Sequence, residues 1–374
     1  MRKIVIENFN NDFLMTFFNY DNSPDRHSPI LLMIISILNQ LGINLDIIRF
    51  LHLNLLPLLI LISYKCLLLK YSNIDDKILF LICCAFFLSP TSRSIAIWPD
   101  SRLLGLVLFL FSIYYFLRYQ KNLNFNDCIL NNVFLIFSAY LSPNFSIFFL
   151  YFFYNYIGYL KFSKKMIMII FLNLIMALPM LYYLFVLDVN FLRTVAIDDI
   201  NILTRINPFN KILIIFTLIF FYLIPLIFRQ LKINILIKNF KFSHIFYSTI
   251  IFFCCFYFFN YSINFTGGGI FYKLSYLLFN NPYFFFIVSF LSILLILNIL
   301  KFNLNNFLLI IILIVSNPQL TIYHKYFDPL LIILFLLFFE FKFSKEKMIN
   351  KVFVLNIYTF YFIFLLLNLG RFFI

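Results

Sequence analysis

The sequence has few charged residues. Only 12% of its 374 residues are Asp, Glu, Lys or Arg, whereas 63% are hydrophobic, and the mean hydropathy is +0.97. A soluble globular domain carries roughly a quarter charged residues. This shortage excludes a soluble domain and predicts an all-α polytopic membrane protein.

Cysteine is also scarce, and its placement excludes several kinds of site. The six cysteines lie inside or at the inner ends of apolar runs, with no C-x-x-C pair or Cys/His spacing typical of a metal site. No disulfide framework is implied, and we expect the cysteines to pack as small apolar side chains. No apolar core lies near the start of the chain, so no cleavable signal peptide is expected.

The sequence lacks the features of a solute transporter or a nucleotide-binding loop. Transporters usually show internal repeats and helices broken by Pro or Gly, but Pro179 and Pro225 are isolated and the second half does not mirror the first. The glycine run Gly267–Gly269 is followed by no Lys-Ser/Thr pair, so it is not a P-loop. Such a run either lets the backbone approach a ligand closely or forms a mobile lid.

Long apolar runs predict one transmembrane domain over residues 1–374 with about twelve spans. Residues 1–44 are expected to form a short outer-face segment followed by an interfacial helix over Ser28–Gly42, which is too short to cross the bilayer. Residues 45–374 form the bundle. The predicted spans are 45–69, 78–90, 102–118, 128–142, 144–160, 166–187, 211–228, 243–259, 282–300, 305–316, 326–341 and 352–370.

Basic residues indicate the orientation of the bundle. The formal net charge is +14, and most Lys and Arg residues fall in one set of alternate loops, which the positive-inside rule assigns to the cytoplasm. The excess charge therefore requires no nucleic-acid partner. The acidic residues of the N-terminal segment, together with Asp100 and Asp328, are then expected on the outer side.

Asp100 stands out among the acidic residues. It is the carboxylate at the water boundary of Leu88–Tyr119, just before the apolar run that begins at Ser101. Holding a carboxylate there is costly, which favours a functional role, but a helix cap explains the same residue. His52 and His244 lie in or beside apolar helices and are expected to satisfy local hydrogen bonds.

Two further outer segments carry polar side chains. Asp198–Asp199 has Arg193 and Arg205 nearby, a mixture that suits a phosphate or a metal, although a solvated loop looks the same and is the favoured interpretation. His324 and Lys325 lie at a membrane boundary, where they either bind a lipid phosphate or act as ordinary interfacial anchors. The residues themselves leave both pairs of alternatives open.

Several short segments follow one another in a recurring order over residues 20–120, with one more segment later in the chain. The segments are Asp25-Arg26-His27-Ser28-Pro29-Ile30-Leu31, Gly42, Ile48-Arg49-Phe50, Trp98-Pro99-Asp100-Ser101-Arg102-Leu103 and Lys325-Tyr326-x-x-Pro329. Their order resembles that of bacterial GT-C glycosyltransferases, in the branch related to protein O-mannosyltransferases and lipid A aminoarabinose transferases.

The resemblance implies a GT-C-like helical bundle that transfers a sugar, with inversion, from a polyprenyl-phosphate donor to a glycan, lipid or protein acceptor. The site would face the periplasm or exterior of a bacterial inner membrane, in lipopolysaccharide or glycan biosynthesis. A carboxylate should deprotonate the acceptor, and basic groups should bind the lipid phosphate. The catalytic candidates are Asp25, Asp12 and Glu7, with Asp100 as a second carboxylate, and the substrate-binding candidates are His27, Arg102, His324 and Lys325.

The resemblance implies no certain cofactor. A divalent cation stays open, because members of the superfamily differ on metal dependence, and no metal ligand is assigned. Alternative functions are an envelope polysaccharide polymerase, a lipid-linked oligosaccharide flippase, or an inactive truncated GT-C relative. A flippase should carry ionisable residues deep within several spans, and these spans contain almost none.

Overall fold

The computed structural model describes residues 2–22, 27–189, 207–228, 241–265, 267–317 and 321–370. Within these ranges the secondary structure is helical, without a strand. An isolated antiparallel bridge joins Leu300 to Phe341. The predicted all-α class is confirmed.

The first part of the chain is built from helices of very different length. They are α1 (Arg2–Asn11), α2 (Phe13–Phe18), α3 (Ile30–Gln40), α4 (Leu45–Leu53), α5 (Leu55–Lys70), α6 (Asp76–Cys84), α7 (Pro90–Ile97), α8 (Ser101–Asn122), α9 (Phe125–Leu141), α10 (Phe149–Leu160) and α11 (Lys164–Leu181). Short 3₁₀ or π turns link some of them: Tyr20–Asn22, Ala85–Leu88, Pro143–Phe148 and Tyr182–Val186.

The second part of the chain continues the same pattern. Its helices are α12 (Pro208–Ile227), α13 (Phe242–Tyr257), α14 (Gly269–Phe279), α15 (Tyr283–Ile299), α16 (Leu304–Val315), α17 (Leu330–Leu337), α18 (Lys345–Met348) and α19 (Lys351–Gly370). A 3₁₀ turn at His324–Tyr326 precedes α17.

Several helices are long and apolar enough to cross a membrane. In the described part of the chain there are five, or six if the bent pair Asp76–Leu88 and Pro90–Ile97 forms one span. The five are Leu45–Lys70, Ser101–Asn122, Lys164–Val186, Pro208–Ile227 and Lys351–Asn368. The expected number of about twelve is not confirmed, because other apolar helices have 10–17 residues, fewer than the roughly 20 of a straight span.

Some short helices occupy segments between the predicted spans. Examples are α1 in the N-terminal segment, α7 between the predicted spans 78–90 and 102–118, and α14 between the predicted spans 243–259 and 282–300. The sequences of α1 and α7 are only weakly apolar, so composition alone favours a loop there. The sequence of α14 is apolar but short. In α1, Val5 and Phe9 lie one helical turn apart, and both side chains are fully buried in a cluster with α3 residues.

The described residues divide into two compact units. Unit 1 comprises Met1–Leu69 and Arg93–Ile200, and unit 2 comprises Lys70–Ser92 and Asn201–Ile374. The interfacial helix predicted over Ser28–Gly42 corresponds to α3 in unit 1. The single transmembrane domain over residues 1–374 stays a prediction.

In unit 1, α8 and α9 pack closely enough to restrict side-chain size. A Cβ added at Gly105 would lie 3.0 Å from the Ser142 Cβ atom, and the Ser138 hydroxyl donates to the Gly105 carbonyl at 2.7 Å. Asn131 donates to the Ser112 carbonyl at 2.8 Å further along. These contacts hold α8 in place and thereby position the residues at its start.

In unit 2, the glycine run lies against another backbone segment. Gly267 has φ +101°, and a Cβ there would overlap the Ile322 carbonyl. The Gly268 amide donates to the same carbonyl at 3.0 Å. The glycines therefore serve a close approach of two backbone segments, which requires neither a ligand nor a lid.

Candidate functional site

The start of α8 carries a buried polar cluster whose first member is Asp100. Asp100 is 7% exposed and has extended backbone dihedrals, and its carboxylate accepts from the Arg102 amide at 3.0 Å. This is the geometry of a helix N-cap, and an acidic side chain there also interacts favourably with the helix dipole. The predicted cap is confirmed.

Arg102 connects this carboxylate to a histidine from a distant part of the chain. The Arg102 Nε atom lies 3.8 Å from the Asp100 Oδ1 atom, with both side chains largely buried. The Arg102 Nη2 atom lies 2.8 Å from the His27 Nε2 atom. A guanidinium only donates, so His27 Nε2 accepts and the ring carries its proton on Nδ1. The structure thus brings together three residues that the sequence nominated separately.

The segment that carries His27 is held by hydrogen bonds to its backbone and to its neighbour. The Tyr20 hydroxyl donates to the His27 carbonyl at 2.9 Å, and the Ser28 hydroxyl donates to the Tyr140 carbonyl at 2.5 Å. Tyr20 is fully buried, and Ser28 is 4% exposed. The imidazole is therefore presented to Arg102 from an anchored segment.

His52 supports the same turn from α4. Its Nδ1 atom lies 3.2 Å from the Ala96 carbonyl and its Nε2 atom 3.3 Å from the Asp100 carbonyl. A neutral ring can donate to only one of them. The expectation that His52 satisfies hydrogen bonds is confirmed, although its partners are distant in sequence rather than local.

Trp98 lies on the turn just before this cluster and contacts a cationic side chain of α4. The Arg49 Cζ atom lies 4.9 Å from the centroid of the Trp98 ring, which is within cation–π range. Trp98 is 65% exposed, and Arg49 also pairs with Asp46 at 3.4 Å. An exposed indole of this kind can stack against a sugar ring or lie at a membrane interface.

The remaining carboxylate candidates lie elsewhere. Glu7 on α1 is exposed and lies 4.0 Å from the Lys3 amine. Asp12 is exposed and caps α2 by accepting from the Met15 amide at 2.9 Å. Among the described residues neither carboxylate is bonded to Arg102 or His27. Asp25 lies outside the described residues, so its role as the base stays a prediction.

His324 and Lys325 belong to unit 2. The His324 ring packs among aromatic side chains, its centroid 5.8 Å from that of Phe364 and 6.1 Å from that of Phe221. The Lys325 amine lies 4.9 Å from the Tyr323 ring centroid, a contact that agrees with interfacial anchoring. The phosphate-binding candidates are therefore divided between the units. The Asp198–Asp199 pair lies outside the described residues.

Sequence reasoning missed a second buried polar cluster, around Asp328 in unit 2. Its hydroxyl donors include Ser89 and Thr91, which flank Pro90 at the point where an apolar run gives way to polar residues. A proline at such a point is typical of a broken helix, but it is equally typical of the edge of a loop.

The unit 1 cluster combines a guanidinium, a carboxylate and an imidazole in a largely buried position. Among the described residues no group of three or more His, Cys, Asp or Glu could hold a metal ion, and the question of a divalent cation stays open. In comparisons with known proteins, the chain matches no family model, no curated protein and no solved structure.

Proposed function

We propose that this protein transfers a sugar from a polyprenyl-phosphate donor to a cell-envelope acceptor at the outer face of a bacterial inner membrane. The observation that carries the proposal is the contact of 2.8 Å between Arg102 and His27 at the start of a candidate span. It joins two segments that the resemblance to GT-C enzymes selects independently. The acceptor is a glycan, a lipid or a protein.

In this proposal Arg102 binds the lipid phosphate. The bond from the anomeric carbon to the phosphate oxygen breaks, and the leaving phosphate gains negative charge. A guanidinium in a site with little water stabilises that charge strongly, because it keeps its own charge and needs no reorganisation. Asp100 positions Arg102 through the ion pair and the cap, and His27 supplies a second polar contact.

A carboxylate takes the proton of the acceptor hydroxyl as its oxygen attacks the anomeric carbon. Asp25 remains the first candidate for this base, since it precedes His27 by two residues in the sequence. Glu7 and Asp12 are exposed alternatives in unit 1. The described geometry does not select among them.

The test is a transfer assay in membranes with radiolabelled polyprenyl-phosphate sugars. Arg102→Lys keeps the charge but loses the planar donor fork, and we expect transfer to fall by about 10²-fold or more. Arg118→Lys is the matched control, because it makes the same change at the other end of α8, where Arg118 lies 3.4 Å from Asp127. Transfer by that variant should stay close to wild type.

The same transfer assay is applied to Asp25→Asn and Asp100→Asn. Loss of transfer in both, with normal membrane insertion, is the expected result. Full activity in Arg102→Lys would remove the assignment of the phosphate site. Absence of transfer with every donor tried, by a correctly inserted wild-type protein, would favour a polymerase, a flippase or an inactive relative.

A further inference from the structure

Unit 2 contains a buried carboxylate, Asp328, immediately before α17. Asp328 is 2% exposed. Three hydroxyl groups donate to it: Ser89 to Oδ2 at 2.5 Å, Thr91 also to Oδ2, and Tyr361 to Oδ1 at 2.8 Å. Side chains from separate helices therefore converge on a single carboxylate.

The described groups that contact the Asp328 carboxylate are hydroxyl groups. Among the described residues, no Lys, Arg or His nitrogen lies within salt-bridge distance of its carboxylate. A buried carboxylate is costly unless its charge is compensated. Hydroxyl groups lower that cost but supply no positive charge. The negative charge of Asp328 must therefore be compensated by a bound cation or by a proton.

A further buried hydroxyl lies in the same region of unit 2, on Tyr222 of α12. Tyr222 is 1% exposed, and within the described ranges its hydroxyl has no hydrogen-bond partner. The Tyr222 ring centroid lies 6.3 Å from that of His324, and the His324 carbonyl accepts from the Asp328 amide at 3.0 Å. Buried hydroxyls are nearly always satisfied, and a ligand bound at Asp328 would give this one a partner.

Two of the hydroxyl groups lie at a break in a helix. The segments Asp76–Leu88 and Pro90–Ile97 are bent by 65° relative to each other, and Ser89 lies between them with no exposed surface. Breaks in apolar helices are places where membrane proteins hold small cations. The bend places Ser89 and Thr91 against Asp328.

We propose that Asp328, Ser89, Thr91, Tyr222 and Tyr361 form a binding site for a monovalent cation, and specifically for sodium. The ligands are all oxygen atoms, which suit a hard cation, and a single carboxylate matches a single positive charge. A bound sodium ion compensates the buried charge and gives the Tyr222 hydroxyl a partner. The site lies within unit 2 and is independent of the proposed sugar transfer.

The test is sodium binding to the purified full-length chain in detergent. Thermal unfolding is followed in sodium chloride and in choline chloride at equal ionic strength, together with binding of radioactive ²²Na⁺. We expect sodium at saturation to raise the melting temperature by about 3 °C. Asp328→Asn should abolish both the rise and the binding of ²²Na⁺.

Tyr222→Phe separates sodium binding from a structural role, because the hydroxyl that it removes makes no hydrogen bond to any described residue. We expect it to weaken sodium binding about tenfold and to leave the sodium-free melting temperature unchanged or higher. Ser289→Ala is the control: Ser289 is also a buried serine of unit 2, and its hydroxyl donates to the Phe285 carbonyl at 2.8 Å. That variant should keep the full sodium response.

Equal melting temperatures in sodium and choline, without ²²Na⁺ binding to the wild type, would overturn the site. A melting temperature that responds to pH but not to sodium would identify a protonated carboxyl group and would also overturn it. If Asp328→Asn does not fold, the decision rests on ²²Na⁺ binding to the wild type and to Tyr222→Phe. Equal affinity in these two proteins counts against the site.

Discussion

Asp100 performs two physical roles that a pair of substitutions can separate. Its carboxylate accepts from the Arg102 amide at 3.0 Å and lies 3.8 Å from the Arg102 Nε atom. Asp100→Asn keeps a good N-cap, because Asn and Asp rank equally at that position, but it removes the negative charge. Asp100→Ala removes both.

The structure gives an expected loss of stability for each of the two substitutions. Removing one partner of a buried ion pair costs about 3–5 kcal/mol, and with atoms 3.8 Å apart we expect the lower end of that range for Asp100→Asn. Losing the cap as well costs about 1 kcal/mol more. The free energy of unfolding should therefore fall in two unequal steps, with the larger one due to charge.

The assay is thermal unfolding of the purified variants in one detergent, followed by the membrane transfer assay. For a compact unit of this size, about 1 kcal/mol corresponds to a shift of about 2–4 °C. We expect Asp100→Asn to melt at least about 6 °C below the wild type and Asp100→Ala a few degrees lower still. Both should lose transfer, since Arg102 is no longer held.

Asp46→Asn is the matched control, because the Asp46 side chain is 80% exposed and lies 3.4 Å from Arg49. Exposed pairs of this kind contribute about 0.3–0.5 kcal/mol, so its melting temperature should barely change. If Asp100→Asn melts with the wild type and transfers sugar at the normal rate, the ion pair neither stabilises the fold nor positions Arg102. The reasoning about the site then fails.

Two further predictions concern unit 2. Burial, followed by the charge of Lys70, lowers the pKa of Lys345 to about 7. Between about pH 7 and 10 the unfolded chain therefore binds more protons than the folded chain, and the free energy of unfolding rises with pH. Lys345→Met should therefore be more stable relative to wild type at pH 7 than at pH 10, and melting differences that do not change with pH contradict this. Gly267→Ala should destabilise the protein by more than about 2 kcal/mol, because its φ is +101° and a Cβ would overlap the Ile322 carbonyl. Gly158→Ala, with no atom within 4 Å of the added Cβ, should be neutral or stabilising in the same melts.

The positions of the main helices could be predicted from local sequence. The apolar run predicts a helix from Ser101, and a cap of this helix is one of the two roles expected for Asp100. Both the helix and the cap are present. Apolar runs and capping residues determine structure through near neighbours in the chain, so they can be recognised in a single sequence. Short helices with mixed composition, such as α1 and α7, carry weaker local signals and form through packing.

The contacts within each cluster could not be predicted in the same way. The partners His27 and Arg102 are separated by 75 positions, and Ser89 and Asp328 by 239. Nothing in the local pattern around Ser89 indicates which carboxylate it meets, because that depends on how the helices of unit 2 pack. The sequence nominated His27, Arg102 and Asp100 through an ordered resemblance, and it offered no corresponding signal for Ser89 or Tyr361.

The buried aspartates of the two units differ in the groups that surround them. Asp100 and Asp127 in unit 1 each lie within 4 Å of an arginine nitrogen, at 3.8 Å from Arg102 and 3.4 Å from Arg118. These two carboxylates have their counter-charge in the chain itself and serve to hold an arginine. Asp328 is buried to the same degree as Asp127, but its partners are hydroxyl groups. Burial penalises all three charges. Asp328 is the one that has no arginine within 4 Å among the described residues, and we therefore expect its compensation to come from outside the protein.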